Sequence, residues 1–101
     1  MVNIVLTHTL PGFIDNFSHF LAESLPVVHH FLRVNGLLSS PEKVQFYCDS
    51  KLADALSLNS SNPVRSRRDA PADAVALSEK SRFLGIMPIP YGWYAPTRSL
   101  R

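Results

Sequence analysis

Four residues in one stretch could do chemistry together: Asn16, His19, Glu23 and His30. On an α-helix they fall within about 60° of one another. A histidine and a carboxylate spaced i, i+4 can hydrogen-bond. The carboxylate then holds one imidazole tautomer and raises the basicity of the other nitrogen, which is what a general base needs. His19 and Glu23 are therefore the candidate catalytic pair. Asn16 and His30 are the candidate substrate-binding residues, with Asn16 at a helix start where free backbone N–H groups favour an anion such as a phosphate. The same residues, with Ser18, His29 and Arg33, also make up the polar side of an ordinary amphipathic helix, and spacing alone leaves both readings open.

Other chemistry finds less support. His19, Glu23, His29 and His30 do not give a metal site by spacing: the first two are only two ligands, and adjacent His29 and His30 point apart on a helix. No metal and no cofactor are expected. Cys48 ends an apolar run without a CxxC partner, so an inert buried thiol is expected. Neither GxGxxG nor a P-loop occurs. The Arg65-Ser66-Arg67-Arg68 run has Asp69 and Asp73 close by and no interleaved aromatic. It reads as a solvated loop, and nucleic acid is not an expected partner.

The elements that must position the pair follow from periodicity. Val2-Asn3-Ile4-Val5-Leu6 reads as a short buried strand, and Pro11-Gly12 as a turn. Asp15 or Asn16 can cap a helix whose apolar residues are Phe17, Phe20, Leu21, Leu25, Val28, Phe31 and Leu32. Pro26 lies inside it, so a kink or break is expected there, and Asn35-Gly36 reads as its stop. Lys43 to Cys48 reads as a second strand, with Asp49 or Ser50 capping a short helix from Lys51 to Leu58. This order favours an α/β fold with a short parallel sheet. Asn59-Ser60-Ser61-Asn62-Pro63 opens a loop or linker over 59–70. Pro71 at a first turn predicts a third helix, Ala72 to Arg82, followed by an irregular proline-aromatic tail. The expected organisation is 1–58 as a β-α-β-α unit, 59–70 as linker and 71–101 as helix plus tail.

Composition bounds the rest. The chain has 101 residues, 46% hydrophobic and 18% charged, which fits a globular domain and excludes a disordered one. No apolar run approaches the roughly 20 residues of a spanning helix, so no membrane partner is expected. The apolar start lacks a basic n-region and the chain has one cysteine, so a cytoplasmic, reducing location is expected. Residues 1–57 carry three Lys/Arg against five Asp/Glu, while residues 58–101 carry seven against three.

Asn16, His19, Glu23, Leu25 and Pro26 reproduce an N-x-x-H-x-x-x-[D/E]-x-L-P pattern. It resembles the glycosyltransferase family that includes plant xylosyltransferases, the EGF-domain O-GlcNAc transferase and bacterial capsular-polysaccharide proteins. The resemblance covers about residues 13–58. It implies the Rossmann-like first half of a two-domain GT-B fold, with His19 near the acceptor or the reacting centre and Asn16 and Glu23 positioning it. It also implies a nucleotide-sugar donor and a glycan or protein acceptor. Family members are several times longer, so the resemblance implies an N-terminal fragment, inactive without a partner domain. Two other expectations stand beside it. One is a small non-catalytic α/β module that binds a protein through Tyr91, Trp93 and Tyr94. The other is a marginal chain that pairs into a homodimer through an open sheet edge.

Overall fold

The computed structural model describes residues 1–84. Its sheet has three parallel strands, β1 Val2–Leu6, β2 Val44–Tyr47 and β3 Val75–Leu77, in the order β2-β1-β3. The chain is thus of the α/β class with a small parallel sheet. β1 is central, with Ile4 opposite Phe46 on one side and Val75 on the other. Alternation puts Ile4, Leu6, Val44, Phe46 and Leu77 on one face, and all five are buried. They join Phe20, Val27, Val28, Leu32 and Leu56 in one hydrophobic cluster. Burying each large side chain contributes about 1.5–3 kcal/mol. The opposite face carries Asn3, Val5, Gln45 and Tyr47, and the Tyr47 hydroxyl donates to Asn3 Oδ1 at 3.0 Å.

The helix after β1 has three parts: α1 Phe17–His19, a π-helical segment Phe20–Ser24, and α2 Leu25–Val34. Asn16 is the cap, its Oδ1 accepting the His19 N–H at 3.2 Å. Pro26 gives the π segment a cause. Proline lacks an N–H, and its ring crowds the carbonyl four residues back, at Ala22. The wider turn, in which the Leu25 N–H reaches the Phe20 carbonyl, gives that ring room. The kink or break expected at Pro26 is therefore a π turn just before it. One extra residue in the turn rotates all that follows by about 100° relative to a regular α-helix. The buried positions become Phe20, Ser24, Val27, Val28, His30 and Leu32, while Phe17 and Leu21 of the expected apolar face are exposed. The helix stops where expected. Gly36 sits at φ +69°, the Leu37 N–H bonds the Leu32 carbonyl at 2.8 Å, and the Gly36 N–H bonds the Arg33 carbonyl at 3.2 Å. These are the paired bonds of a Schellman turn.

After β2, Ser50 Oγ accepts the Leu52 N–H at 3.0 Å and a 3₁₀ helix runs Ala53–Leu58, in place of the α-helix expected there. The stretch read as a linker runs along the outer edge of β2. Asn62 Nδ2 donates to the Val44 carbonyl at 2.8 Å, and the Arg65 N–H donates to the Phe46 carbonyl at 3.0 Å. The sheet draws strands from both sides of that stretch. The third helix, expected from Ala72 to Arg82, is replaced by β3 and a 3₁₀ helix, Glu79–Leu84. Pairing with β1 and burial of Leu77 outweigh the helix preference of the alanines, which amounts to only a few tenths of a kcal/mol per residue. The proline-aromatic tail with Tyr91, Trp93 and Tyr94 lies outside the described residues. Among the described residues, no helix is long and apolar enough to cross a membrane.

Candidate functional site

The strand order reverses at β1, which has β2 on one side and β3 on the other. In open parallel sheets the crevice outside the carboxyl ends of the strands at such a point is where ligands bind. β1 ends at Leu6 and continues Thr7-His8-Thr9; β3 ends at Leu77 and continues Ser78-Glu79. The Thr7 N–H still bonds the Leu77 carbonyl at 3.0 Å, so the two ends leave the sheet together. The helix turn carrying His19 and Glu23 meets them there.

Glu23 is the hub. Its Oε1 accepts from His19 Nδ1 at 2.9 Å and from His8 Nε2 at 2.8 Å. The two imidazoles lie 6.0 Å apart, edge to face, and the Phe13 ring packs on both, at 4.3 Å from His19 and 5.2 Å from His8. The tautomers follow from the partners. The His8 Nδ1 accepts the Leu10 N–H at 3.1 Å, so its proton is on Nε2 and goes to Glu23. The His19 Nδ1 also faces the carboxylate, so it carries the proton and Nε2 keeps its lone pair. Among the described residues that Nε2 makes no hydrogen bond. The His8 side chain is 2% exposed and the His19 side chain 37%.

Partial burial pushes the Glu23 carboxyl upward, and the hydrogen bonds from His8 and His19 more than offset it, leaving Glu23 below the usual glutamate value. Glu79 stands behind His8, its Oε1 3.5 Å from His8 Nδ1. It clasps the chain after β1: Oε1 accepts the Thr9 N–H at 3.1 Å and Oε2 accepts the Thr9 hydroxyl. Burial raises the Glu79 carboxyl, but these bonds bring it below its ordinary value too.

The four expected site residues are not all brought together. His19 and Glu23 form the predicted pair. Asn16 is exposed, and its side-chain oxygen is taken up by the cap. His30 is buried on the core side of α2, with Arg33 donating to its Nδ1 at 2.6 Å and with no partner for Nε2. The π segment is the reason, because its extra residue turns His30 away from the face of His19. Sequence reasoning misses His8 and Glu79. They reach the site through strand pairing, 15 residues before Glu23 and 70 after Thr9. The available signal is the polar triplet Thr7-His8-Thr9 directly after a buried strand.

A cavity of about 230 Å³ opens beside this cluster, between the ends of β1 and β2. Leu6, His8, Ile14, Asp49, Ser50 and Arg67 help to line it; His19 and Glu23 do not. Asp49 is held by the Arg67 N–H and the Ser66 hydroxyl, both at 3.0 Å, and these bonds lower its carboxyl below the usual aspartate value. His8 is common to cluster and cavity, with one ring nitrogen on Glu23 and the residue among those lining the cavity. Burial pushes the Cys48 thiol up, which keeps it protonated and unreactive.

No family model matches the chain, and no curated protein or solved structure matches it.

Proposed function

We propose that this chain is a glycosyltransferase-like first half, with a Rossmann-like sheet, that supplies the base for sugar transfer from a nucleotide sugar to a hydroxyl acceptor. The observation that carries the reading is the His19–Glu23 pair at the carboxyl edge of a parallel sheet. Glu23 holds the Nδ1 proton and leaves the Nε2 lone pair directed outward, the state in which an imidazole accepts a proton from an attacking hydroxyl. His8 donates to the same carboxylate oxygen and helps to hold it in place. The adjoining cavity, which His8 helps to line, offers room for part of a substrate. The C-terminal half of such an enzyme would bring the donor and stabilise the leaving diphosphate. It is the required partner, and polysaccharide biosynthesis is the setting in which this transfer is used.

The test is transfer of a labelled sugar by the full chain, with and without a candidate C-terminal half. Transfer is expected only when both are present. His19→Ala should lower it by about 10²–10⁴-fold, the usual contribution of a positioned base. Equal rates for wild type and His19→Ala would remove His19 from the mechanism.

A further inference from the structure

We infer that His8, His19 and Glu23 form a binding site for a divalent transition metal, with zinc the best fit. The inference does not rest on the sugar-transfer reading and puts His19 to a different use. His8, His19 and Glu23, from two separate stretches of chain, each offer a donor atom within 4.8 Å of the other two, and His8 Nε2 and His19 Nδ1 are the nitrogens that meet Glu23 Oε1. The contacts to Glu23 are 2.8 and 2.9 Å. A tetrahedral ion with bonds of about 2.0–2.1 Å holds its ligands about 3.3–3.4 Å apart. Small shifts of the three side chains reach that spacing. Two imidazoles and one carboxylate suit zinc, or cobalt as its probe. Magnesium and calcium require more oxygen ligands than this set supplies.

The surroundings have the features of a built site. His8 is anchored at a strand end, and His19 and Glu23 lie one helical turn apart. The Phe13 ring packs on both imidazoles and limits their movement. Glu79 provides the outer partner. When His8 Nε2 gives its lone pair to an ion, the proton must sit on Nδ1, and that nitrogen is 3.5 Å from Glu79 Oε1. This is the carboxylate–histidine–metal arrangement that fixes tautomer and ring orientation. The exposed Leu10 N–H, which now bonds His8 Nδ1, turns to water.

The protons balance. The His8 proton moves from Nε2 to Nδ1, the His19 proton moves from Nδ1 to Nε2, and both rings stay neutral. The half-open side of His19 leaves a fourth position for water. Metal binding and base function at His19 exclude one another, because an ion on Nδ1 leaves Nε2 protonated.

The experiment is calorimetric titration of the chelator-stripped full chain with zinc sulfate. One zinc per chain is expected. His8→Gln and Glu23→Gln should abolish binding, Glu79→Gln should weaken it by about 10–100-fold, and His29→Gln should leave it unchanged. Ring-nitrogen NMR of the wild-type chain covers the case in which a variant does not fold. Zinc should move the His8 Nε2 and His19 Nδ1 signals and leave those of His29 and His30 in place. No binding by the wild-type chain overturns the site. So does binding that persists in every folded variant, or a signal change confined to His29 and His30.

Discussion

His19 and His30 lie on one helical run and, by the α-helical period, on one face. The structure gives them opposite fates. His19 is part-exposed, packed at a tilt against Phe13 and tied to a carboxylate at the sheet's carboxyl edge. His30 is 5% exposed, on the core side, with one ring nitrogen unpartnered. Between them stands the π segment Phe20–Ser24. One extra residue in a turn decides which histidine stays half-open at the sheet edge and which is enclosed. Helical phase, set here by Pro26, thus controls chemistry at a distance from either ring.

Adding a further residue to that turn tests the comparison most severely. Inserting one alanine after exposed Ala22 leaves one residue more than the wide turn absorbs and sets the two halves about 100° out of phase. Either the Glu23 cluster or the Val27, Val28 and Leu32 packing must then be lost. Losing the latter would cost more than about 5 kcal/mol, comparable with the whole stability of a small domain. Urea denaturation of the insertion variant should show no cooperative native baseline. A normal transition would mean that the phase between the two halves does not govern the packing.

Truncating the hub is the next largest effect. Glu23→Ala leaves the His8 Nε2–H, on a side chain 2% exposed, without its acceptor. The expected loss is about 1–3 kcal/mol, measured by denaturant unfolding. His29→Ala, at an exposed position of the same helix, should stay within about 0.5 kcal/mol. Equal losses at both positions would mean that the cluster contributes no stability.

What can be read from sequence and what cannot follows from the range of the forces. β1 is legible in its β-branched run, the helix stop in Gly36, which tolerates positive φ, and the cap in the side-chain oxygen of Asn16. The His19–Glu23 bond is legible because i, i+4 neighbours meet on any helix. β3 is not, because Pro71-Ala72-Asp73-Ala74 has helical preferences and only the long-range pairing with β1 overrides them. His8 and Glu79 are hidden for the same reason, since strand register rather than local spacing brings them to Glu23. His30 falls on the wrong face of the expected helix because the phase argument assumes an uninterrupted 3.6-residue turn.

Acid titration bears on the His19 side. Glu23 and Glu79 both have folded values below the ordinary one, after hydrogen bonds outweigh burial. A lowered carboxylate stabilises the fold above its unfolded pKa. That contribution is lost as the pH falls through the folded value. Without added metal, wild-type stability should therefore fall as the pH drops below the ordinary glutamate value of about 4.3. Glu23→Gln and Glu79→Gln should each flatten that fall. Parallel curves for wild type and both variants would show that neither carboxylate drives it.

The smallest effect concerns His30 and has the opposite sign to the other substitutions. Burial first, then the Arg33 charge, then His29, holds its imidazole below the usual histidine value, so it stays neutral in the fold. Its unpartnered nitrogen has lost water and gained nothing in return. His30→Leu keeps an apolar side chain of similar size beside Val27 and leaves the exposed Arg33 to solvent. The variant should be more stable by about 1 kcal/mol at neutral pH. The sign of the pH effect follows from the lowered value: the unfolded chain binds a proton near its ordinary pKa of about 6.5, while the folded chain resists it. The advantage of the His30→Leu variant over the wild type should therefore grow as the pH drops from about 7 to about 5. Paired urea titrations at those two values measure it. A loss of stability at both would mean that the His30 ring is held by a contact worth more than its unpaired nitrogen costs.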